Sequence, residues 1–265
     1  MDNANTWSTL RELRRAAPLV HSITNYVAMD VTANALLAIG ASPAMVHAIE
    51  EVEEFVAISS ALVVNIGTLS PTWVDSMTRA ARHANALGKP WVLDPVGSGA
   101  TSYRTLVSRE LARLHPTVLR GNASEILAVA GGEARTKGVD SVHGSEQALG
   151  VARELAAELG CVVAVTGEVD VVSDGARVLR VENGHPMMTK VTALGCAATA
   201  LTGAFLAVQP DPLLASAQAL GVLGLCGEIA ARAADGPGSL RWRLLDALYN
   251  LDEAAVLRGL RIREG

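Results

Sequence analysis

The sequence predicts one α/β domain with a mostly parallel central sheet and helices on both faces. Three observations carry this. Short, wholly apolar runs such as ALVVN (61–65) and CVVAV (161–165) recur between longer helical stretches. Strands buried on both faces read as continuous Val/Ile/Leu runs, which is the pattern of a parallel sheet covered by helices. A Gly stands at the end of several helical segments (Gly40, Gly88, Gly160), where a left-handed cap is expected. Finally, a single hairpin signal, Asp174-Gly175, occurs between apolar runs and predicts an antiparallel edge.

The elements follow in order. Thr6–Arg15 is an opening amphipathic helix, Pro18–Ile23 a short strand, and Asp30–Ile39 a helix closed by Gly40. Ser42–Val46 is a second short strand, Glu50–Ser60 a helix with an acidic start, and Ala61–Ile66 a strong strand. Pro71–Leu87 is helical, with Pro at the start and Gly88 at the end. Trp91–Leu93 is a strand, Ser102–Leu114 a helix, Thr117–Arg120 a strand, and a helix starts at Ala123. Ser145–Leu159 is a helix and Cys161–Thr166 a strand. Val169–Ser173 and Ala176–Val181 form the hairpin. A long helix runs over Cys196–Val208, and further helices, interrupted at Gly236-Pro237-Gly238, complete the chain.

Composition bounds the function. The 265 residues are 50% hydrophobic and 18% charged, which excludes intrinsic disorder. Aromatics are 3%, so the core is built from Ala, Val, Leu and Ile. No linker, repeat or low-complexity segment divides residues 1–265, so one domain is expected. The net charge of −5, with no Lys/Arg run, argues against a nucleic-acid partner. The opening MDNANTWSTLRELRR has no apolar h-region, so no signal peptide is expected. The most membrane-like stretch, 213–231, contains Ser216, Gln218 and Glu228, and reads as a buried helix instead of a span. Cys161, Cys196 and Cys226 are far apart without CxxC spacing, so neither a disulfide framework nor zinc is indicated and a reducing, cytoplasmic setting is expected. The six histidines (21, 47, 83, 115, 143, 185) show no HxxxH spacing.

Ligands of open parallel sheets bind beyond the carboxyl ends of the strands. Polar and small residues gather there in this chain: Thr24-Asn25, Gly67-Thr68, Asp94-Pro95-Val96-Gly97, Gly121-Asn122 with Glu125, and Thr166-Gly167-Glu168. Asp94 alone reads as a turn starter and Glu125 alone as a helix-start acid. Together at neighbouring strand ends they form a hard-oxygen pair suited to Mg²⁺ shared with phosphates. Thr192-Ala193-Leu194-Gly195-Cys196 is a small-residue turn entering a helix, which offers free N–H groups to an anion. It is not a Walker A loop. Cys196 at that position is either a thiol with a lowered pKa facing the anion or a packing residue of an Ala-rich helix. Met45, by residue type alone, is more often core than ligand contact.

These strand ends match a known family. The segments VHSITNYVAMDVTANALLAIGASPAM (20–45), NIGTL (65–69), VLDPVGSGAT (92–101), LRGNASEI (119–126), VVAVTGEVDVVSDG (162–175), KVTALGCAATALTGAF (190–205) and GPGSLRWRLLDAL (236–248) resemble hydroxyethylthiazole kinases, in the family's order and over nearly the whole chain. The resemblance implies a ribokinase-like fold and ATP-dependent phosphorylation of the hydroxyl of 4-methyl-5-(2-hydroxyethyl)thiazole, a thiamine salvage step. It further implies Mg²⁺ and a homotrimer with active sites at subunit interfaces. Carried over by position, Cys196 stands where related kinases of the fold have an aspartate base. Met45, Asn25, Gly67 and Ala193 fall on substrate contacts. Arg120, Thr166 and Gly195 fall on nucleotide contacts, and Asp94 and Glu125 on the Mg²⁺–phosphate region. Two departures stand out: Ser22 replaces the Asn usual in the HNITN opening, and Ala193 and Leu194 occupy a turn that is usually TGxGC with a small middle residue.

Two rivals share the fold. A hydroxymethylpyrimidine kinase carries Asp at the Cys196 position and lacks the HxITN opening. An ATP- or ADP-dependent dehydratase that repairs hydrated NAD(P)H also normally carries an aspartate in the late glycine turn. A third reading, a catalytically weak nucleotide-binding protein, draws only on the altered turn.

Overall fold

The computed structural model describes residues 3–131 and 144–265, so His143 lies outside the described residues. A nine-stranded sheet runs through the centre in the order β2-β1-β3-β4-β5-β6-β7-β8-β9. The strands are β1 (Leu19–Ile23), β2 (Ser42–Ala44), β3 (Ala61–Asn65), β4 (Trp91–Asp94), β5 (Val118–Asn122), β6 (Val162–Thr166), β7 (Asp170–Ser173), β8 (Val178–Val181) and β9 (Ile262–Glu264). Strands β1 to β6 pair in parallel, and β6 to β9 in antiparallel. The expected α/β architecture with an antiparallel edge is what forms. That edge is wider than the hairpin alone, because β9 adds to β8. β9 is three residues near the chain end with a charged alternation, so it carries no apolar run from which a strand is legible.

Alternate strand residues face opposite layers. Val20, Val63, Val92, Val118 and Val162 join one core, under α1 (Asn3–Ala16), α2 (Met29–Ile39), α8 (Leu194–Leu206), α9 (Pro212–Ala231), α10 (Pro237–Asn250) and α11 (Glu253–Gly259). Leu62, Val64, Leu93, Leu119 and Val163 join the other, under α3 (Val52–Ile58), α4 (Pro71–Ala86), α5 (Ser102–Ala112), α6 (Ala123–Ala130) and α7 (Gly144–Leu159). Both faces of the inner parallel strands β1, β3, β4, β5 and β6 are therefore covered, while β2 at the edge stays partly exposed.

The helix ends follow their sequence signals. Ser70 accepts the Trp73 N–H, with Pro71 in the first turn of α4. Thr101 caps α5 and Asp211 caps α9 in the same way. Gly40 closes α2 in the left-handed region at φ 106°. The helix expected over Glu50–Ser60 shortens to Val52–Ile58. The one expected from Cys196 starts two residues earlier, at Leu194.

Helix α9 is long and apolar enough to cross a membrane by length and composition, and 83% of its most apolar window is buried inside the protein. Ser216 Oγ donates to Pro212 O at 2.8 Å and Gln218 Nε2 to Asn5 Oδ1 at 2.7 Å. It is a core helix, packed against α8 and α10.

Helix α8 lies across β1, β3 and β4. Its approach depends on Gly203: a Cβ there would sit 2.8 Å from Val63 Cγ2 and 3.5 Å from Val20 Cγ1. Both valines are central strand residues with little room to turn. Gly203→Ala gains up to ~1 kcal/mol of helix propensity, against ~1–3 kcal/mol of overpacking. The expected outcome is a lower urea midpoint with unchanged slope, measured by far-UV circular dichroism.

Candidate active site

The sheet order sets neighbouring strand ends side by side. Asn25 lies two residues past β1, Asn65 ends β3, Asp94 ends β4, Asn122 ends β5 and Thr166 ends β6. Register aligns Asn65 with Asp94 and Asn122 with Thr166. The amino end of α8 enters above this row.

Asp94 is 1% exposed. Its Oδ2 accepts from Asn65 Nδ2 at 2.7 Å and from Thr199 Oγ1 at 2.7 Å, and lies 4.0 Å from Arg120 Nη1. Burial pushes its carboxyl up to about 6, against the opposing pull of Arg120 and of these hydrogen bonds, with the Glu125 charge adding to the rise. Asp94 Oδ1 is buried without a hydrogen-bond partner among the described residues. Arg120 Nη2 donates to Thr166 Oγ1 at 2.8 Å, which holds the guanidinium across the ends of β5 and β6.

Glu125 is more constrained than a free ligand. It completes a capping box with Asn122: its N–H donates to Asn122 Oδ1, and its Oε2 accepts the Asn122 N–H, both at 2.9 Å. Its Oε1 accepts the Gly97 N–H at 2.9 Å, which ties the loop after β4 to α6. Among the described residues no group of three or more His, Cys, Asp or Glu side chains converges. An all-protein metal cage is therefore not what Asp94 and Glu125 build.

Helix α8 has no side-chain cap. The N–H groups of Leu194, Gly195 and Cys196 belong to its first turn, where no partner within the helix exists. Ala193 holds φ 64° and ψ 8°, the left-handed region. A residue with a Cβ costs ~1–2 kcal/mol there, so Ala193 carries strain that a glycine would not.

Cys196 is half-buried. One of the two readings of its position has the thiol lowered by the helix end, and the structure reverses this. Burial raises it first and the nearby Asp94 charge second, with the Asn25 and Asn65 amides and Arg120 opposing. Asn25 Nδ2 donates to Cys196 Sγ at 3.4 Å and to Asn65 Oδ1 at 2.9 Å. Gly67 packs under the same amide, since a Cβ on it would meet Asn25 Nδ2 at 2.5 Å. Asn25, Gly67 and Cys196 thus form one cluster.

On the other side of Gly195 opens a cleft of about 920 Å³, bordered by Arg120, Thr166, Asp170, Asn183 and His185. Arg120, Thr166 and Gly195 all border it. Gly195 keeps the wall close to the cation: a Cβ there would be 3.0 Å from Arg120 Nη1. Met45 does not border this cleft; it lies partly exposed on the loop after β2.

Four residues at the site escaped the sequence reading. Asn65 obeys the same strand-end rule that found its neighbours. Thr199 stands three residues after Cys196 and so shares its helix face. Asp170 opens β7, and its carboxyl is pushed up to about 6 by burial while it accepts the Gly167 N–H at 3.0 Å. Arg104 donates to the carbonyls of Ile66, Val96 and Gly67 at 2.7–3.0 Å, clamping two site loops. No signal in sequence marks it.

Burying the Asp94 charge opposes folding. A rise from 3.8 to about 6 corresponds to ~3 kcal/mol at ~1.4 kcal/mol per pH unit. The folded state binds the proton more tightly, so the cost is absent below pH ~4, develops up to about 6 and is constant above. Asp94→Asn keeps an acceptor for Asn65 and Thr199 and removes the charge. It should be more stable than the parent at pH 7.5 by ~1–3 kcal/mol, with the difference closing at pH 3.5, read from urea midpoints at both pH values.

The hydroxyethylthiazole kinase family matches residues 10–254. A hydroxyethylthiazole kinase of Cereibacter sphaeroides is 55% identical over 262 residues, covering 99% of each chain. Another, of Syntrophus aciditrophicus, is 53% identical and covers 98% of this chain and 97% of the relative. The solved structure of a hydroxyethylthiazole kinase protein from Pyrococcus horikoshii OT3 superposes with a TM-score of 0.93 at 46% identity, over 99% of both chains. Pyridoxal kinase from Staphylococcus aureus in complex with ADP is 16% identical with a TM-score of 0.60, covering 77% of this chain and 86% of that one, a likeness of fold alone. The fold is ribokinase-like, and with a match that runs from α1 into α11 the chain belongs to the hydroxyethylthiazole kinase family.

Proposed function

We propose that this chain transfers the γ-phosphoryl group of ATP to the primary hydroxyl of 4-methyl-5-(2-hydroxyethyl)thiazole, a thiamine salvage step. The observation that carries the reading is the junction at the amino end of α8. There the Asn25–Gly67–Cys196 cluster and the Arg120–Thr166 cleft meet on either side of Gly195. Phosphoryl transfer needs positioning and charge stabilisation more than covalent chemistry. The N–H groups of residues 194–196 are directed to the charge that develops on the transferred group, and Arg120 faces the polyphosphate. Asn25, Gly67, Ala193 and Met45 are assigned to the thiazole alcohol, with Cys196 at its hydroxyl.

The oxygen donors fit Mg²⁺. Asp94 has an unpartnered Oδ1, and each Glu125 oxygen accepts one backbone N–H and retains a lone pair. Two carboxylates with phosphates and waters are a usual Mg²⁺ set. When bound, the ion would neutralise phosphate charge. The cysteines are unpaired, which supports a reducing, cytoplasmic setting. A homotrimer with composite sites is supported by Tyr26 and Val27, both 64% exposed and next to Asn25 in sequence.

An ATP-turnover assay tests the reading against its rivals. The thiazole alcohol should be phosphorylated, while hydroxymethylpyrimidine and hydrated NADH should not turn over. Excess EDTA should abolish the activity and Mg²⁺ restore it, and the active species should have three chain masses in light scattering. Phosphorylation of the pyrimidine alcohol in preference to the thiazole would reject it.

Cys196→Ala should lower kcat by about 10²-fold, the low end of general-base contributions, with thiazole affinity little changed. The raised thiol explains the low end, because a mostly protonated sulfur is a poor base. Cys196→Asp should retain activity, since the helix end favours a negative charge. An unchanged kcat in the alanine variant, from steady-state kinetics, would make the thiol packing alone.

A further inference from the structure

The amides between Asp94 and Cys196 form a chain whose direction is fixed at both ends. Ionised Asp94 only accepts hydrogen bonds, so the group facing its Oδ2 at 2.7 Å must be Asn65 Nδ2. The other end of that amide is independently fixed, because the Gly67 N–H only donates and meets Asn65 Oδ1 at 3.0 Å. Asn65 Oδ1 therefore also takes an N–H of Asn25 at 2.9 Å. Asn25 cannot turn over either, since its Oδ1 accepts the Ala28 N–H at 3.0 Å. The second N–H of Asn25 Nδ2 is then left for Cys196 Sγ at 3.4 Å. Both asparagines are buried, Asn65 at 1% and Asn25 at 6% exposure, so water does not substitute for these partners.

We propose that Asn65 is a positioning residue for the transfer step: its Oδ1 anchors one N–H of Asn25, so that the other N–H is held on the Cys196 sulfur. This inference rests on the proposed kinase reading for its link to catalysis, but not for its effect on the thiol. A donor on sulfur has two consequences. It favours the thiolate over the thiol. It also occupies one side of the sulfur, so a lone pair or the S–H proton is directed away from the amides. The charged groups acting on Cys196 are Asp94, which disfavours the thiolate, and Arg120, which favours it. The amides tip that balance without bringing a charge. In the transfer step the thiolate form of Cys196 takes the substrate O–H proton as the new O–P bond forms and the bond to the ADP oxygen breaks. The thiol returns that proton to solvent.

The test reads the thiol directly. Alkylation of Cys196 by iodoacetamide, followed by site-resolved mass spectrometry from pH 6 to 10.5, gives its midpoint. Buried Cys161 and Cys226 serve as internal controls for unfolding. Asn65→Leu should raise the Cys196 midpoint by about one pH unit, a tenfold loss of thiolate at fixed pH. Asn25→Leu should do the same. In steady-state kinetics Asn65→Leu should lower kcat by about 10-fold to 100-fold, at or below the reach of a general base, with KM for the thiazole alcohol within about threefold.

Should Asn65→Leu fail to fold, Asn65→Ala replaces it: it removes the acceptor for Asn25 and adds no charge, so the midpoint should again rise. A Cys196 midpoint unmoved in the folded Asn65 variants overturns the inference. Inactivity of the parent on the thiazole alcohol would overturn the proposed function and leave the alkylation comparison to decide the chain of amides.

Discussion

A carboxylate buried at the end of a central strand has to be met by donors, and much of this site is arranged around that requirement. Asp94 is sealed beneath α8 and between β3 and β5. Asn65, Thr199 and Arg120 come from three separate elements to meet it. Each then has its remaining groups aimed somewhere specific. Asn65 turns its oxygen to Asn25 and Gly67, and Arg120 reaches Thr166 at the cleft. The geometry on both sides of the α8 terminus is thus set from one buried charge. Removing a partner would leave that charge uncompensated, the costly way to disturb such a site.

The amino end of α8 is the second organising feature, and it is maintained at some expense. Gly203 lets the helix lie close on Val63 and Val20, which brings its first turn over the strand ends. Ala193 then takes the left-handed conformation that a glycine would take without strain. A residue persists in such a conformation where its surroundings over-determine it. Here the turn delivers the N–H groups of residues 194–196, with no side-chain cap to compete for them. Anion binding and helix capping draw on the same donors, so an uncapped terminus is what a phosphate site requires.

Most of the fold was legible because its signals are local. Apolar runs, Pro and Gly at helix ends, and the Asp174-Gly175 hairpin each act within a few residues. β9 was not legible, because Ile262–Glu264 becomes a strand only by pairing with β8, far away in sequence. The buried helix was legible from Ser216, Gln218 and Glu228 within an apolar stretch, and Gln218 meets Asn5 of α1 inside the protein.

At the site, the sequence by itself determined which residue types stand after each strand, because strand ends can be read from the runs that precede them. It therefore yielded Asn25, Gly67, Asp94, Glu125, Thr166 and the turn at 192–196, and the resemblance supplied Arg120 and the family. Tertiary structure alone decided what those groups do to one another. The Cys196 thiol is raised where its helix position argued for lowering, because burial and the Asp94 charge outweigh a partial charge at a helix end. Glu125 is held by the Gly97 and Asn122 N–H groups where its position suggested a free ligand. Arg104 joins the site through three carbonyls from loops distant in sequence. Hydrogen-bond direction and desolvation depend on what lies within a few ångströms in space, and that proximity is created by the sheet order and not by chain order.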